Sequence, residues 1–570
     1  MRTHLLLFHT ALLGLAQISH SQTIPQQLWS RDLAFPLASS ERVVVDSTGH
    51  AVACSGTYLF VPATQSHHIF QTTKLRPDGQ PLWTREYRPA GGWNERAYWL
   101  TVDSEDNVIV TGRALPAQSA NFQSVTIKYD PAGNVLWEHV RAGSGFGYTS
   151  IRVEVDATGN VYLLGTGDTS GSLFEVTKLD PAGNLLWSRG VTPVTGVPTR
   201  LNALAVAPDG RVAYTAGIQD LDFYSRCYDS QGALIWSDRY AGGLLGGQDI
   251  TFDATGAAYV CGSANGAGVV VKYGPTGSRE WTMSRNGPGG SFDSYHRVTL
   301  DVAGNIVATG QGQGSGLYLQ WATVKVDPTG TLLWARDYEG IAANDQRARA
   351  ITTDSSGSVY VAGFALPASA PCTTTLSDVD TVAIKYDASG TLQWTLHSLC
   401  SGGFGNSIAV APGGDIVLNT PDSVERWSQF ALPENFCQAV PNSTGQIGHL
   451  DWVGTTEITA NDFSLIVQGT LPPTSFGLLA ASQVETSVPM VGGYVGTLCL
   501  GTPTGRGTVF QVDAGGSVTV PIDPQALPTA LGPTVSAVAG ETWLFQLWHR
   551  DLVNGAPNAN FTDGLRVPWR

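Results

Sequence analysis

Charge is scarce in this sequence: Asp, Glu, Lys and Arg make up 14% of its 570 residues, where ordinary soluble proteins carry roughly 25%. With 66 glycines beside so few charges, the chain reads as short strands joined by many turns. A basic surplus is also missing. The 32 Lys and Arg stand against 47 Asp and Glu, for a net charge of −15, which leaves no electrostatic footprint for nucleic acid or an anionic membrane surface. The apolar run at 5–16 is interrupted by His9, Thr10 and Gly14 and falls short of the ~20 residues a bilayer span needs. Preceded by Arg2 and followed by the polar stretch 17–22, it has the parts of a signal peptide over 1–21, cut after Ala16 or after Ser21. An exported protein is predicted, secreted or held at the cell surface, with no membrane insertion once the signal is removed.

Cysteine is sparse too. Seven occur, with no CxxC or other close metal-ligand spacing, and neither a metal nor another cofactor is expected. Disulfides are allowed in an exported chain, and the odd count leaves at least one thiol over. Cys437 with Cys499, in one C-terminal segment, and Cys372 with Cys400, flanking one half-repeat, are the candidate bridges. Cys54, Cys227 and Cys261 lie in apolar strand-like runs and read as small buried hydrophobes.

What the sequence does have is repetition. One half-unit reads VDATGNVYLLG at 155–165 and recurs from Val45, Val102, Val206, Phe252, Leu300, Thr353 and Val410; the other reads IKYDPAGNVLW at 127–137 and recurs with its tryptophan at Trp83, Trp187, Trp236, Trp281, Trp334 and Trp394. Each half is two short apolar or alternating runs around an Asp-to-Gly turn, which is hairpin chemistry. Two hairpins make a four-stranded meander. The tryptophans recur roughly 45 to 60 residues apart, close to the ~40–50 of propeller blades. An all-β fold follows: an eight-bladed β-propeller over 27–430, with seven blades as the alternative, and a small β-sandwich over 435–570. Gln27 to Ser30 matches only the last strand of a repeat, and the last repeat, 406–430, lacks that strand. If the first completes the other, the ring closes and no sheet edge is left open.

The acidic turns lack the carboxylate density of a calcium site and read as chain reversals, each worth roughly 1 kcal/mol in turn hydrogen bonds. The repeated tryptophan reads as a filler of the wedge between blades. Binding is expected instead on the connections between successive blades, which differ in length and side chains. The expected residues there are Trp93, Arg96, Tyr148, Arg200, Asp249, Tyr295, His296 and Arg347, with Asp293 and Arg349 beside them. No nucleophile elbow, Ser-His-Asp set or phosphate loop stands out, and the chain is expected not to be an enzyme.

Segments 155–165 with 178–187, and 355–363 with 385–394, resemble the tandem propeller repeats of secreted bacterial proteins, in which DxxGNvYvtG alternates with vaKlDpxGnllW. Gly274 in place of Asp and Arg279-Glu280 in place of an apolar pair depart from that pattern. The resemblance implies a propeller in an extracytoplasmic setting and no reaction. The second half-unit is also similar to the repeats of quinone-dependent dehydrogenases, though the adjacent cysteines that hold their cofactor are missing here. A sialidase box differs by one residue in its Asp-to-Gly spacing. PNSTGQ at 441–446, LCLGTP at 498–503 and GETWLFQLWHRD at 540–551 resemble a C-terminal module of secreted bacterial repeat proteins, which implies sorting, attachment or adhesion. The expected function is a non-catalytic binding scaffold for an unidentified protein or glycan. A propeller enzyme, quinone-dependent or carbohydrate-active, is the alternative.

Overall fold

The computed structural model describes residues 25–569 except 33–38, 60–66, 90–93, 117–120, 143–147, 168–173, 192–197, 219–221, 243–245, 291, 315–317, 340–345, 366–379, 399–406, 421–422, 431–432, 438, 490–495, 531 and 554–555. The expected signal segment, Trp93, Cys372 and Cys400 lie outside the described residues. No helix occurs among the described residues, and thus none long and apolar enough to cross a membrane.

The Asp-to-Gly turns form as their residues dictate. In the turn 130–134 the Gly133 amide donates to Asp130 O at 2.9 Å, Asp130 N to Asn134 O at 2.9 Å, and the Asp130 carboxylate accepts the Asn134 amide at 2.8 Å. The resulting hairpins join into eight antiparallel sheets of four strands each. Their first strands are Ser39–Val45, Arg96–Val102, Tyr148–Val155, Pro198–Val206, Gly247–Phe252, Ser294–Leu300, Arg347–Thr353 and Ser407–Val410. Each touches the first strand of the next sheet, and the eighth touches the first. The sheets therefore stand in a closed, propeller-like ring with their first strands innermost.

The outer strand of the eighth sheet comes from the other end of the chain. Gln26–Asp32 pairs antiparallel with Ser423–Ser428, Gln26 opposite Ser428 and Asp32 opposite Ser423, as the complementary half-repeats imply. Ser407 Oγ donates to Val43 O at 3.1 Å and Arg426 to Gly49 O at 3.0 Å, which ties the eighth sheet to the first.

The repeated tryptophan works as an inter-sheet latch. Trp83 Nε1 donates to Pro131 O at 3.0 Å, Trp137 to Pro181 O at 3.0 Å, and Trp29 of the closing strand to Pro77 O at 2.7 Å. Each carbonyl belongs to a turn of the following sheet. The indole lies flat over that turn's glycine, and a Cβ on Gly133, whose φ is +84°, would meet the Trp83 ring at 2.7 Å. Glycine is thus required twice over, by φ and by the ring. Gly133→Ala is expected to cost about 2 kcal/mol from left-handed strain and ring displacement. An unchanged unfolding midpoint would remove the latch from the account.

The repeated lysine reaches the same place. Lys325 Nζ and Trp334 Nε1 each donate to Ala388 O at 3.2 Å, and Lys178 and Trp187 converge on Ser230 O at 3.2 and 3.1 Å. Lys325 is also paired with Asp301 of its own sheet at 2.6 Å, both side chains being almost fully buried. Lys74 with Asp46 and Lys128 with Asp103 repeat this pair at 2.8 Å. The K-x-D-x-x-G-x-x-x-W spacing is therefore a device for joining neighbouring sheets.

Beyond the ring, Glu434–Cys437, Ala556–Pro568, Thr542–Val553, Phe476–Ser482 and Gly505–Gln511 form a five-stranded sheet in that spatial order. A three-stranded sheet of Asp451–Val453, Ser464–Val467 and Val518–Pro521 accompanies it. Leu465, Val467 and Val520 from the smaller sheet share one core with Leu479, Phe545, Leu547 and Leu565 from the larger. Cys437 and Cys499 are joined by a disulfide; Cys54, Cys227 and Cys261 are buried and outside any disulfide.

Candidate functional site

The eight first strands enclose an axial channel with a cavity of about 500 Å³. Seven of them share a register shift at the same point: between Ser40 and Arg42, Ala97 and Trp99, Ser150 and Arg152, Leu201 and Ala203, Gly247 and Asp249, Tyr295 and Arg297, and Ala348 and Ala350. Bulges of this kind re-aim side chains. The residue just after the shift lies four before the first residue of the following turn, and it lines the channel. In five sheets it is large or charged: Arg42, Trp99, Arg152, Asp249 and Arg297. In the other three it is Ala203, Ala350 and Ser407. Two residues further along, small side chains such as Val44, Thr251 and Thr352 line the wall, and Glu154 is the exception.

These side chains meet across the ring. The guanidinium carbons of Arg42 and Arg152, from the sheets on either side, lie 4.0 and 3.9 Å from the Trp99 ring centre. Asp249 accepts the Val298 amide at 3.0 Å. For Glu154, Asp249 and Arg42, burial dominates the ionisation. It pushes the carboxyls of Glu154 and Asp249 up, against the pull of Arg42 on the first and of Arg297 on the second. It likewise pushes Arg42 down, with Glu154 opposing and Arg297 adding to the effect.

The residues expected on connecting loops are distributed otherwise. Arg96, Asp249, Tyr295, His296 and Arg347 stand in first strands, because each strand already includes the polar residues that make its sequence look like loop. Tyr148 and Arg200 also fall within first strands. Tyr295 is 1% exposed and packs with Tyr259, Met283 and Val298, so it is a core residue and its replacement would disturb the fold. His296 is buried, and burial together with Arg349, Arg297 and Arg347 pushes its imidazole down to about 3. Arg96 and Arg113 sit opposite each other in register, 5.3 and 5.8 Å from the Tyr98 ring. Asp293 ties its connection to the end of the strand Ile306–Gln313: its carboxylate accepts the Gln313 amide at 2.8 Å and also that of Gly287. Of the expected residues that are described, Asp249 alone lines the cavity.

Arg42, Trp99, Arg152, Glu154 and Arg297 were not singled out by the sequence reading. The signal that finds them is an overlay of the eight turns, which exposes one variable column inside otherwise uniform strands.

No family model and no curated protein matches the chain. Among solved structures it is similar to a streptogramin B lyase, at 10% identity over 70% of this chain and 96% of that one, with a TM-score of 0.37. A catalytically inactive virginiamycin B lyase from Staphylococcus aureus with quinupristin aligns at 10% identity over 58% and 94%, with a TM-score of 0.38. A protein from Lactobacillus plantarum aligns at 16% identity over 66% and 98%, with a TM-score of 0.39. Similarity of this degree leaves function to be argued from the chain's own geometry.

Proposed function

We propose that this is an exported, non-catalytic binding protein: an eight-bladed β-propeller with an appended C-terminal β-sandwich, whose ligand occupies the axial channel. One observation carries the reading. Turns, latching tryptophans and buried lysine pairs recur from sheet to sheet, while the channel position after each bulge carries unlike side chains, Arg42, Trp99, Arg152, Asp249 and Arg297 among them. A wall of this kind offers the few placed polar groups on a rigid frame that recognition needs. The Cys437–Cys499 disulfide supports an oxidising compartment. Two carboxyls raised by burial in one channel, Glu154 and Asp249, favour the carbohydrate-active enzyme as the second reading.

A glycan and protein array probed with the purified chain, followed by variants, tests both. Trp99→Ala and Arg152→Gln, both in the channel wall, are expected to weaken any hit at least tenfold while Asp180→Ala, in an exposed turn, leaves it unchanged. The reverse pattern would put the ligand on the turn face. Product formation from a bound glycan that stops in Glu154→Gln would establish the second reading over the first.

A further inference from the structure

We infer that the channel ligand is a small oxyanion, a molecule bearing carboxylate or phosphate groups, gripped by Arg42, Arg152 and Arg297. The inference rests on the channel being the binding site and adds the chemistry of what it binds. The chain as a whole is acidic, at −15 with 32 basic residues among 570, yet the cavity wall holds three arginines against two carboxylates. The three come from the first, third and sixth sheets and so approach the axis from different sides. An arrangement of that kind surrounds a central charge, whereas a structural ion pair would need only one neighbour.

The geometry of the arginines favours an oxyanion over a neutral ligand. Arg42 and Arg152 lie against the Trp99 face at 4.0 and 3.9 Å. Arg152 and Arg297 each donate one Nη1–H to the carbonyl of the residue before them, Ile151 O and His296 O, at 2.9 Å, which fixes the side chain, and the planar guanidinium fork matches the two oxygens of a carboxylate or phosphate. A cavity of about 500 Å³ takes a molecule of a few to some tens of atoms, within the usual range of ~300–1,000 Å³ for small-ligand sites.

Protons are coupled to this binding. Glu154 faces Arg42, Trp99, Arg152 and Asp249. Asp249 faces Arg297, Arg152 and the Val298 and Ile250 amides, with Cys261 on the adjoining strand and Arg42 across the channel. An incoming anion competes for the same guanidiniums and repels both carboxylates, so it raises their proton affinity further. The bound state then holds more protons than the free one, and affinity rises as pH falls.

Isothermal titration of the full chain with tartrate, with inorganic phosphate and with neutral maltose tests the inference and separates the two oxyanion sources. At least one anion is expected to bind, more tightly at about pH 5.5 than at about pH 7.5 for tartrate, whose carboxyls stay ionised across that range. Arg42→Gln and Arg297→Gln should each weaken it tenfold or more, with Arg42→Lys intermediate because an ammonium keeps the charge and loses the fork. Thermal unfolding of each variant verifies that it is folded. Anion binding that survives all three substitutions in folded protein overturns the inference, as does the lack of binding of either anion up to about 10 mM. Maltose binding lost in Trp99→Ala and kept in the arginine variants would overturn the oxyanion while leaving the channel reading intact; a ligand indifferent to every channel variant would end both.

Discussion

Asp301→Asn is expected to destabilise the protein by about 3–5 kcal/mol, several times the roughly 1 kcal/mol of an ordinary turn hydrogen bond. The carboxylate accepts the Ala303 and Asn305 amides at 2.9 and 2.8 Å and holds Lys325 at 2.6 Å with both side chains out of water. Asparagine can keep the turn but strands the ammonium, which retains only the Gly357 and Ala388 carbonyls at 3.4 and 3.2 Å. The lysine, its amide contacts and Asn305 hold Asp301 below the usual carboxylate range despite its burial. The sign of the pH dependence follows. A carboxyl depressed on folding contributes stability that is complete above its unfolded value of ~3.9 and is lost as pH falls through the lower folded value. The gap between wild type and Asp301→Asn should therefore be constant from neutral pH down to about 4 and close below it. Chemical denaturation across that range is the measurement, and a gap that persists undiminished at the lowest pH would exclude the ion pair as its source.

Cys437→Ser is expected to lower the stability of the C-terminal unit by about 2–5 kcal/mol while the ring of sheets unfolds as before. The bridge closes a separation of 62 residues. It fastens the edge strand Glu434–Cys437, held by its pairing with Ala556–Pro568, to Thr497–Leu500. Beside it the buried Gln546 accepts the Cys499 amide at 3.0 Å and donates to Thr497 O and Thr562 O at 2.9 and 2.8 Å, so the cross-link anchors a polar network as well as a strand. Two cores should give two unfolding transitions. Differential scanning calorimetry of the variant, and of the wild type under reductant, should move one of them; a rigid shift of both, or of neither, would contradict the assignment.

Much of the fold was legible because hairpins are local. D-P-A-G-N between two apolar runs specifies its reversal without help from elsewhere, and the half-repeats at 27–30 and 406–430 gave the closing pair. The energetic weight of the acidic turns was not legible. Asp46, Asp103 and Asp301 look like Asp130 and Asp180 in sequence, but only the first three receive a buried lysine from a strand about 25 residues on. The expected residues were assigned to loops for a related reason. Polar residues near a length-variable connection read as loop, yet Arg96, His296 and Arg347 belong to strands, where the inner edge of each sheet faces a channel that exists only once all eight are assembled. A residue such as Arg42 is ordinary in its own strand and acquires meaning only beside Trp99 of the next.

The pairing of Gln26–Asp32 with Ser423–Ser428 also sets a clock. Trp29 leaves the ribosome early, while the strand it must lie beside is made some 400 residues later, which at roughly 5–20 residues per second is a delay of tens of seconds. Throughout that interval the seam stands open, and its closure carries the slowly growing entropy of a very long loop. A chain with this seam remains an unclosed string of hairpins until the eighth sheet has been synthesised, so the export proposed above would thread a chain that holds no finished ring.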